Sequence, residues 1–165
     1  MKILIAYAGK TGCSAAMAAL LAESMPRHQV TLADLAAETP SPADFDYVVL
    51  GGAIRMGKLY PAARRYLKQY GDLLVGVPHT LFLCCAFAEQ FENYLEMAFP
   101  AALLESAEDA LYFGGELNVS KHKGIDKWLV KLIRNSILES EEDEAALPGL
   151  LPEHVRLLAD RLKQK

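Results

Sequence analysis

Apolar positions in this chain alternate between short continuous runs and stripes at helical spacing. Ile3 to Tyr7 is an apolar run ending at a glycine-containing turn, the pattern of a strand buried on both faces. Between 14 and 25, Met17, Ala18, Leu21 and Met25 fall at helical spacing, and Pro26 closes the segment. His28 to Leu35 alternates weakly, with Val30 and Leu32 on one face, as an edge strand does. Residues 36–45, rich in Pro, Ser, Thr and Asp, read as a loop. Tyr47-Val48-Val49-Leu50 is a second central strand, which Gly51-Gly52 is expected to stop. Pro61 opens a helix where its missing N–H costs nothing, and Ala63, Tyr66, Leu67, Tyr70 and Leu74 line one face of it. Thr80 to Ala86 is a third apolar strand, residues 89–104 are helical with a division at Pro100, and Ala110 to Gly114 is a fourth. Helices are expected near 124–138 and 152–164, separated by the acidic run Glu139-Ser140-Glu141-Glu142-Asp143-Glu144.

Strands that are apolar throughout and alternate with helices require a parallel sheet covered on both faces, a doubly wound α/β architecture. No internal repeat or linker divides the chain, so residues 1–165 are expected to form one domain. An apolar fraction of 52% over 165 residues is enough to bury a core without covalent staples. The net charge of −4 gives no general drive toward nucleic acid. Cys13, Cys84 and Cys85 are too few and too oddly placed for a disulfide framework, which points to a reduced, cytoplasmic setting. The run after Met1 is too short to span a bilayer and lacks a cleavage site, so no targeting segment is expected.

Open α/β sheets bind ligands beyond the carboxyl ends of their strands, which directs attention to three loops. The first, Ala8-Gly9-Lys10-Thr11-Gly12-Cys13-Ser14, opens directly into a helix. It offers backbone N–H groups, the positive end of a helix dipole, one cation and two hydroxyls, an inventory suited to a monophosphate. The same residues also suit an ordinary strand-to-helix turn. Gly9-Lys10-Thr11 is not a P-loop, because the glycine required five residues before Gly9 is Leu4. The three-glycine dinucleotide fingerprint is absent as well. The second loop, Gly51-Gly52-Ala53-Ile54-Arg55-Met56-Gly57-Lys58-Leu59-Tyr60, has glycines that would admit a planar ligand and apolar side chains that would cover a ring. Arg55 there suits a developing negative charge; a surface loop with scattered charge accounts for the same residues.

The order of these loops, and above all Gly51-Gly52-Ala53-Ile54-Arg55-Met56-Gly57, resembles the flavodoxin-domain family that includes the bacterial quinone-dependent protoporphyrinogen oxidase. That enzyme's loop reads Gly-x-Ser-Ile-Arg-aromatic-Gly before a helix. The likeness continues through Leu111-Tyr112-Phe113-Gly114-Gly115-Glu116-Leu117 and Asp126-Lys127-Trp128-Leu129-Val130-Lys131-Leu132-Ile133, nearly the whole chain. It implies a flavodoxin-like, three-layer fold with a five-stranded sheet in the order 2-1-3-4-5, and FMN as cofactor. The phosphate would lie on Gly9, Lys10, Thr11, Gly12, Cys13 and Ser14. The ring would lie between the segment Gly52, Ala53, Ile54, Arg55, Met56 and Gly57 and the turn carrying Cys85, Ala86 and Phe87. In that family electrons leave the substrate through the flavin to a quinone. Three positions differ from the family pattern: Gly9 stands for its leading hydroxyl residue, Cys13 for a polar one, and Met56 for the aromatic.

Other features carry less chemistry. Successive strand residues face opposite ways, so Cys84 and Cys85 cannot chelate one metal and are expected to be buried structural thiols. No His/Cys/Asp cluster has metal-ligand spacing, and His28, His79, His122 and His154 are expected to be surface or packing residues. Residues 121–134 combine the stripe Ile125, Trp128, Leu129, Leu132 and Ile133 with Lys121, Lys123, Lys127, Lys131 and Arg134. Such a basic amphipathic helix lies in a membrane interface or packs its stripe on the sheet, so peripheral contact with the inner membrane face is one expectation. The acidic run 139–144 is a solvated loop or an attractor for a basic redox partner. The expected partners are a redox protein or a quinone, with no nucleic acid.

Overall fold

A computed structural model describes residues 1–10, 12–115 and 149–165. The expected helix near 124–138, the 121–134 surface, the acidic run and Thr11 lie outside the described residues. Five parallel strands make the body of the sheet: β1 (Lys2–Ala8), β2 (Gln29–Asp34), β3 (Tyr47–Arg55), β5 (His79–Cys84) and β6 (Asp109–Tyr112), in the order β2-β1-β3-β5-β6. A sixth, two-residue strand β4 (Lys58–Leu59) pairs antiparallel with the end of β3. With β4 set aside, the order is the 2-1-3-4-5 arrangement that the family resemblance implies.

Period-two alternation sorts each buried strand onto two cores. Leu4, Ala6, Val48, Leu50, Leu81 and Leu83 face one side. There they pack under α2 (Pro61–Leu74), α3 (Phe91–Ala98) and α4 (Ala101–Ser106), with Tyr66, Leu67, Leu74, Leu95 and Leu103 closing the layer. Ile3, Ile5, Val49, Phe82 and Cys84 face the other side. These meet α1 (Cys13–Glu23) and α5 (Pro152–Leu162) through Met17, Leu21, Val155, Leu158 and Leu162. Each fully buried Leu- or Ile-sized side chain contributes about 1.5–3 kcal/mol by leaving water, so the two continuous layers supply the fold's main driving force. β2 sits at the sheet edge, and this explains its weak pattern: Val30 packs inward while Leu32, on the same face, is exposed. Pro100 does divide the third helical segment, into α3 and α4.

The sequence expectation failed at Gly51-Gly52. These glycines do not stop β3; the strand runs on to Arg55, with Gly51 and Gly52 buried in mid-sheet between Tyr7-Ala8 and Phe82-Leu83. A Cβ at Gly51 would strike the Phe82 carbonyl and come within 2.6 Å of its ring, and one at Gly52 would strike the Ala8 carbonyl. The pair is there because neighbouring strands and the stacked rings of Phe82 and Phe113, 4.8 Å apart, leave no room for side chains. Strand β5 also ends earlier than expected, at Cys84, although Cys85 N–H still bonds to the Gly114 carbonyl at 3.0 Å.

At the opposite, amino-terminal edge, Tyr47 Oη bonds to Thr80 Oγ1 at 2.8 Å and donates to Glu108 at 3.0 Å. Glu108 also pairs with Lys165, and Asp109 with Arg161, which ties α5 across the sheet. His79 is a packing residue: it is fully buried, with its ring nitrogens 2.8 and 3.1 Å from the Val77 and Leu103 carbonyls. Among the described residues no helix is long and apolar enough to cross a membrane.

Candidate functional site

The carboxyl ends of β1, β3 and β5 converge because the register fixes them. Ala8 sits opposite Gly52, and Ala53 opposite Cys84. The turn after β1 therefore lies beside the Ala53 stretch, which in turn lies beside the Cys84–Cys85 stretch. A Cβ on Gly9 would meet Ser14 Oγ at 3.1 Å and the Ala53 methyl at 3.6 Å, so the first loop, the start of α1 and β3 enclose one small recess.

α1 begins without a side-chain cap and without an acidic residue in its first turn. Its N-cap is Gly12, at φ 88° and with nothing within 4 Å of where a Cβ would stand, so the loop turns there in a conformation that resists side chains. The first intrahelical bond is Ala16 N–H to the Gly12 carbonyl at 2.8 Å. The N–H groups of the opening turn have no helical acceptors and carry the positive end of the dipole. Ser14 completes this end: its side chain is buried, and Oγ has no hydrogen-bond partner among the described residues. A buried hydroxyl without a partner costs about 1–3 kcal/mol, and that cost is recovered only when something polar reaches it. Lys10 is exposed on the rim and makes an interaction of its own within the chain.

The Cys84 thiol adjoins this recess. Burial pushes it up to about 12, and the Ser14 hydroxyl nearby opposes that rise without making a bond of acceptable geometry. Burial also pushes Cys85 up to about 11, and its Sγ contacts the Phe87 carbonyl at 3.6 Å. Both thiols are therefore neutral and poor nucleophiles near neutral pH, and Cys13 is buried too. Ala86 and Phe87 follow as a half-buried turn. Tyr112 braces that turn, donating from Oη to the Cys85 carbonyl at 2.8 Å and setting its ring 5.6 Å from that of Phe91. Sequence reasoning did not single out Tyr112 as a support, because nothing in a one-dimensional pattern marks a phenol that reaches back to the neighbouring strand.

The remaining sequence-derived residues fall in two places. Gly52 lies inside the sheet, Ala53 and Ile54 are half-buried at its edge, and Arg55-Met56-Gly57 forms the tip of a hairpin. Ile54 pairs with Leu59 and Arg55 with Lys58, which leaves Met56 and Gly57 as a two-residue turn. Both have positive φ, 51° and 73°, the condition for the tight turn that matches strand twist. Met56 is 72% exposed at this tip, and the hairpin carries Arg55 and Met56 toward α2. Lys58 and Arg64, beside them, were not singled out from the sequence. Among the described residues no group of His, Cys, Asp or Glu is placed to hold a metal.

The comparisons with known proteins agree with this architecture. A family model described as a flavodoxin domain matches residues 4–144. No curated protein matches the sequence. Among solved structures, the azoreductase AzrA covers 100% of this chain and 100% of its own length, with TM-score 0.53 and 11% identity. An azoreductase from Bacillus anthracis str. Sterne covers 98% of this chain and 99% of its own, with TM-score 0.51 and 13% identity. The rubredoxin oxygen:oxidoreductase of Desulfovibrio gigas covers 88% of this chain at TM-score 0.48 and 16% identity, and this chain spans 37% of that protein's length. At these identities the azoreductase likenesses show the fold alone.

Proposed function

The chain belongs to the flavodoxin-domain family, and on that premise we propose that it is an FMN-binding redox protein. The observation that carries this reading is Ser14 Oγ, buried and, among the described residues, without a partner at the amino end of α1, beside the position where Gly9 lacks a side chain. A phosphate monoester supplies what that recess lacks, namely acceptor oxygens for the hydroxyl and the opening N–H groups, and negative charge for the dipole.

Gly9, Lys10, Gly12, Cys13 and Ser14 would hold the phosphate, with Thr11 of the same loop. Ala53, Ile54 and the turn at Cys85, Ala86 and Phe87 would border the ring. When bound, FMN supplies one- and two-electron transfer, and the protein supplies binding and electrostatics. The helix dipole and Lys10 hold the phosphate end. Buried, protonated thiols at Cys84 and Cys85 keep negative charge away from the ring and so do not oppose its reduction to an anion. No side chain here needs to act as a general base.

Within this reading we favour an oxidoreductase related to the quinone-dependent protoporphyrinogen oxidases, with a quinone or a redox protein as partner and peripheral membrane contact through residues 121–134. What supports it is the Gly51–Gly57 segment of the sequence. Absorbance of the purified protein before and after FMN addition and gel filtration tests the cofactor. A flavin spectrum at one FMN per chain is expected, and a protein that stays colourless at millimolar FMN refutes it. Porphyrinogen oxidation by the loaded protein with a quinone then separates the enzyme from a plain electron carrier.

A further inference from the structure

β2 forms one edge of the sheet, and its backbone shows which groups that edge leaves open. Gln29 and Leu35 donate to the Met1 and Tyr7 carbonyls at 3.0 and 2.9 Å. By period two, the odd-numbered residues of β2 therefore turn their N–H and C=O groups toward β1, and the even-numbered ones turn theirs outward. Of the even-numbered residues, His28 donates to the Met25 carbonyl at 3.1 Å, and the Asp34 carbonyl accepts from Ala37 and Glu38, both at 2.9 Å. Val30 and Leu32 keep both groups outward, with no partner among the described residues. Sheet edges are ordinarily guarded by a lysine, a proline or a bulge. β2 has neither residue, and its register with β1 runs unbroken from Gln29 to Asp34. Leu32 is 37% exposed on this edge. α1, packed against β2, carries no charge before Glu23, so that helix presents little that would repel an apolar partner.

We propose that this edge is a homodimer interface, on which a second copy of the chain lays its own β2 antiparallel, with Thr31 at the two-fold axis. The register follows from the outward groups. Only with Val30 of each copy opposite Leu32 of the other do the outward N–H and C=O groups of both residues all find partners. The same register lays Val30 on Leu32, which covers the exposed leucine, and sets Thr31 beside Thr31. It also brings His28 across from Asp34 of the other copy, an imidazole facing a carboxylate. Cross-strand pairs of these kinds favour association. The strand is thus complementary to itself, which selects a second copy over a foreign strand, and a two-fold closes the contact in a pair and not a fibre. One strand a side is a small interface, so the dimer is weak and concentration-dependent. None of this depends on flavin binding.

The test is sedimentation velocity of the full chain up to about 0.5 mM, where an association in the micromolar range is populated. A monomer–dimer equilibrium is expected, and Leu32→Lys is expected to weaken it at least about tenfold by placing a charge on each copy's edge. Leu157→Lys removes an apolar side chain that is 60% exposed on α5, away from this edge, and is expected to dimerise as the parent does. The register has its own readout. Thr31 pairs with its copy at a non-hydrogen-bonded position, where Cα atoms stand about 4.5 Å apart, within the span of a disulfide. Thr31→Cys should therefore cross-link under mild oxidation, faster than Gln29→Cys, whose copies this register holds apart; the native cysteines are buried. A chain that stays monomeric overturns the proposal, and so does an equal loss in the two lysine variants or an equal cross-linking rate in the two cysteine variants. Hydrogen exchange closes the remaining route: Val30 and Leu32 amides that are protected in dilute monomer are covered by the chain itself, and the interface then falls.

Discussion

Replacing Ser14 by Ala should act in opposite directions with and without flavin. In the flavin-free protein Ser14 Oγ is buried and has no partner among the described residues. Its desolvation, about 1–3 kcal/mol, is uncompensated, and alanine removes it while leaving almost the same volume. Taking the lower end for the small void left behind, Ser14→Ala should stabilise the free protein by about 1 kcal/mol, a rise of about 2–4 °C in Tm for a chain of this size. If the hydroxyl donates to an FMN phosphate, the same substitution removes a hydrogen bond to a charged group. That costs about 1.5–3 kcal/mol, or about 10- to 150-fold in Kd. Linkage then gives a crossing. FMN at 100 times the parent's Kd stabilises the parent by about 2.7 kcal/mol but a 50-fold weaker variant by only about 0.7 kcal/mol. The variant should melt above the parent without FMN and below it with FMN. Differential scanning calorimetry at fixed protein concentration, with FMN fluorescence quenching for Kd, measures both limbs. A variant less stable than the parent without flavin would show that the hydroxyl already has a partner, and an unchanged Kd would remove Ser14 from the phosphate site.

Gly51→Ala should cost more than 3 kcal/mol or prevent folding, since its methyl meets the Phe82 ring at 2.6 Å and must move backbone on β5; an unchanged urea midpoint would refute the close approach. Met56→Asn should raise stability by about 0.5–1 kcal/mol, because a left-handed φ of 51° disfavours methionine and 72% exposure leaves little burial to lose; a lower urea midpoint counts against it. Alkaline stability should fall above about pH 9, where the unfolded thiols ionise while the folded ones at Cys84 and Cys85 stay protonated toward about 12 and 11. The raised folded values mean that this contribution is present below pH 9 and lost as pH rises. Urea midpoints at pH 7.5, 9 and 10.5 read the loss, and a flat profile contradicts the burial argument. By the same reasoning a disulfide reagent at pH 8 should find no accessible thiol until the chain unfolds.

What the sequence made legible follows the range of each interaction. Strand and helix identities were visible because burial on both faces writes a local signal, as in Ile3–Tyr7 and in the Ala63–Leu74 stripe. The Gly51-Gly52 pair misled because two unlike causes leave the same letters. A glycine that breaks a strand and a glycine squeezed by Phe82 and Ala8 from adjacent strands are identical in one dimension, and only the register tells them apart. The same limit hid the cations gathered at the hairpin. Arg55, Lys58 and Arg64 look like scattered surface charge until a two-residue turn at Met56-Gly57 folds Lys58 back against Arg55 and Pro61 starts a helix that brings Arg64 alongside. Only Gly57 marked the turn in the sequence, because the pairing of Ile54 with Leu59 across it is visible only in the sheet. The other position carries an exposed methionine where asparagine or glycine would be less strained. Met56 holds that conformation because the two-residue turn demands it, and its exposed side chain recovers little of the cost by burial.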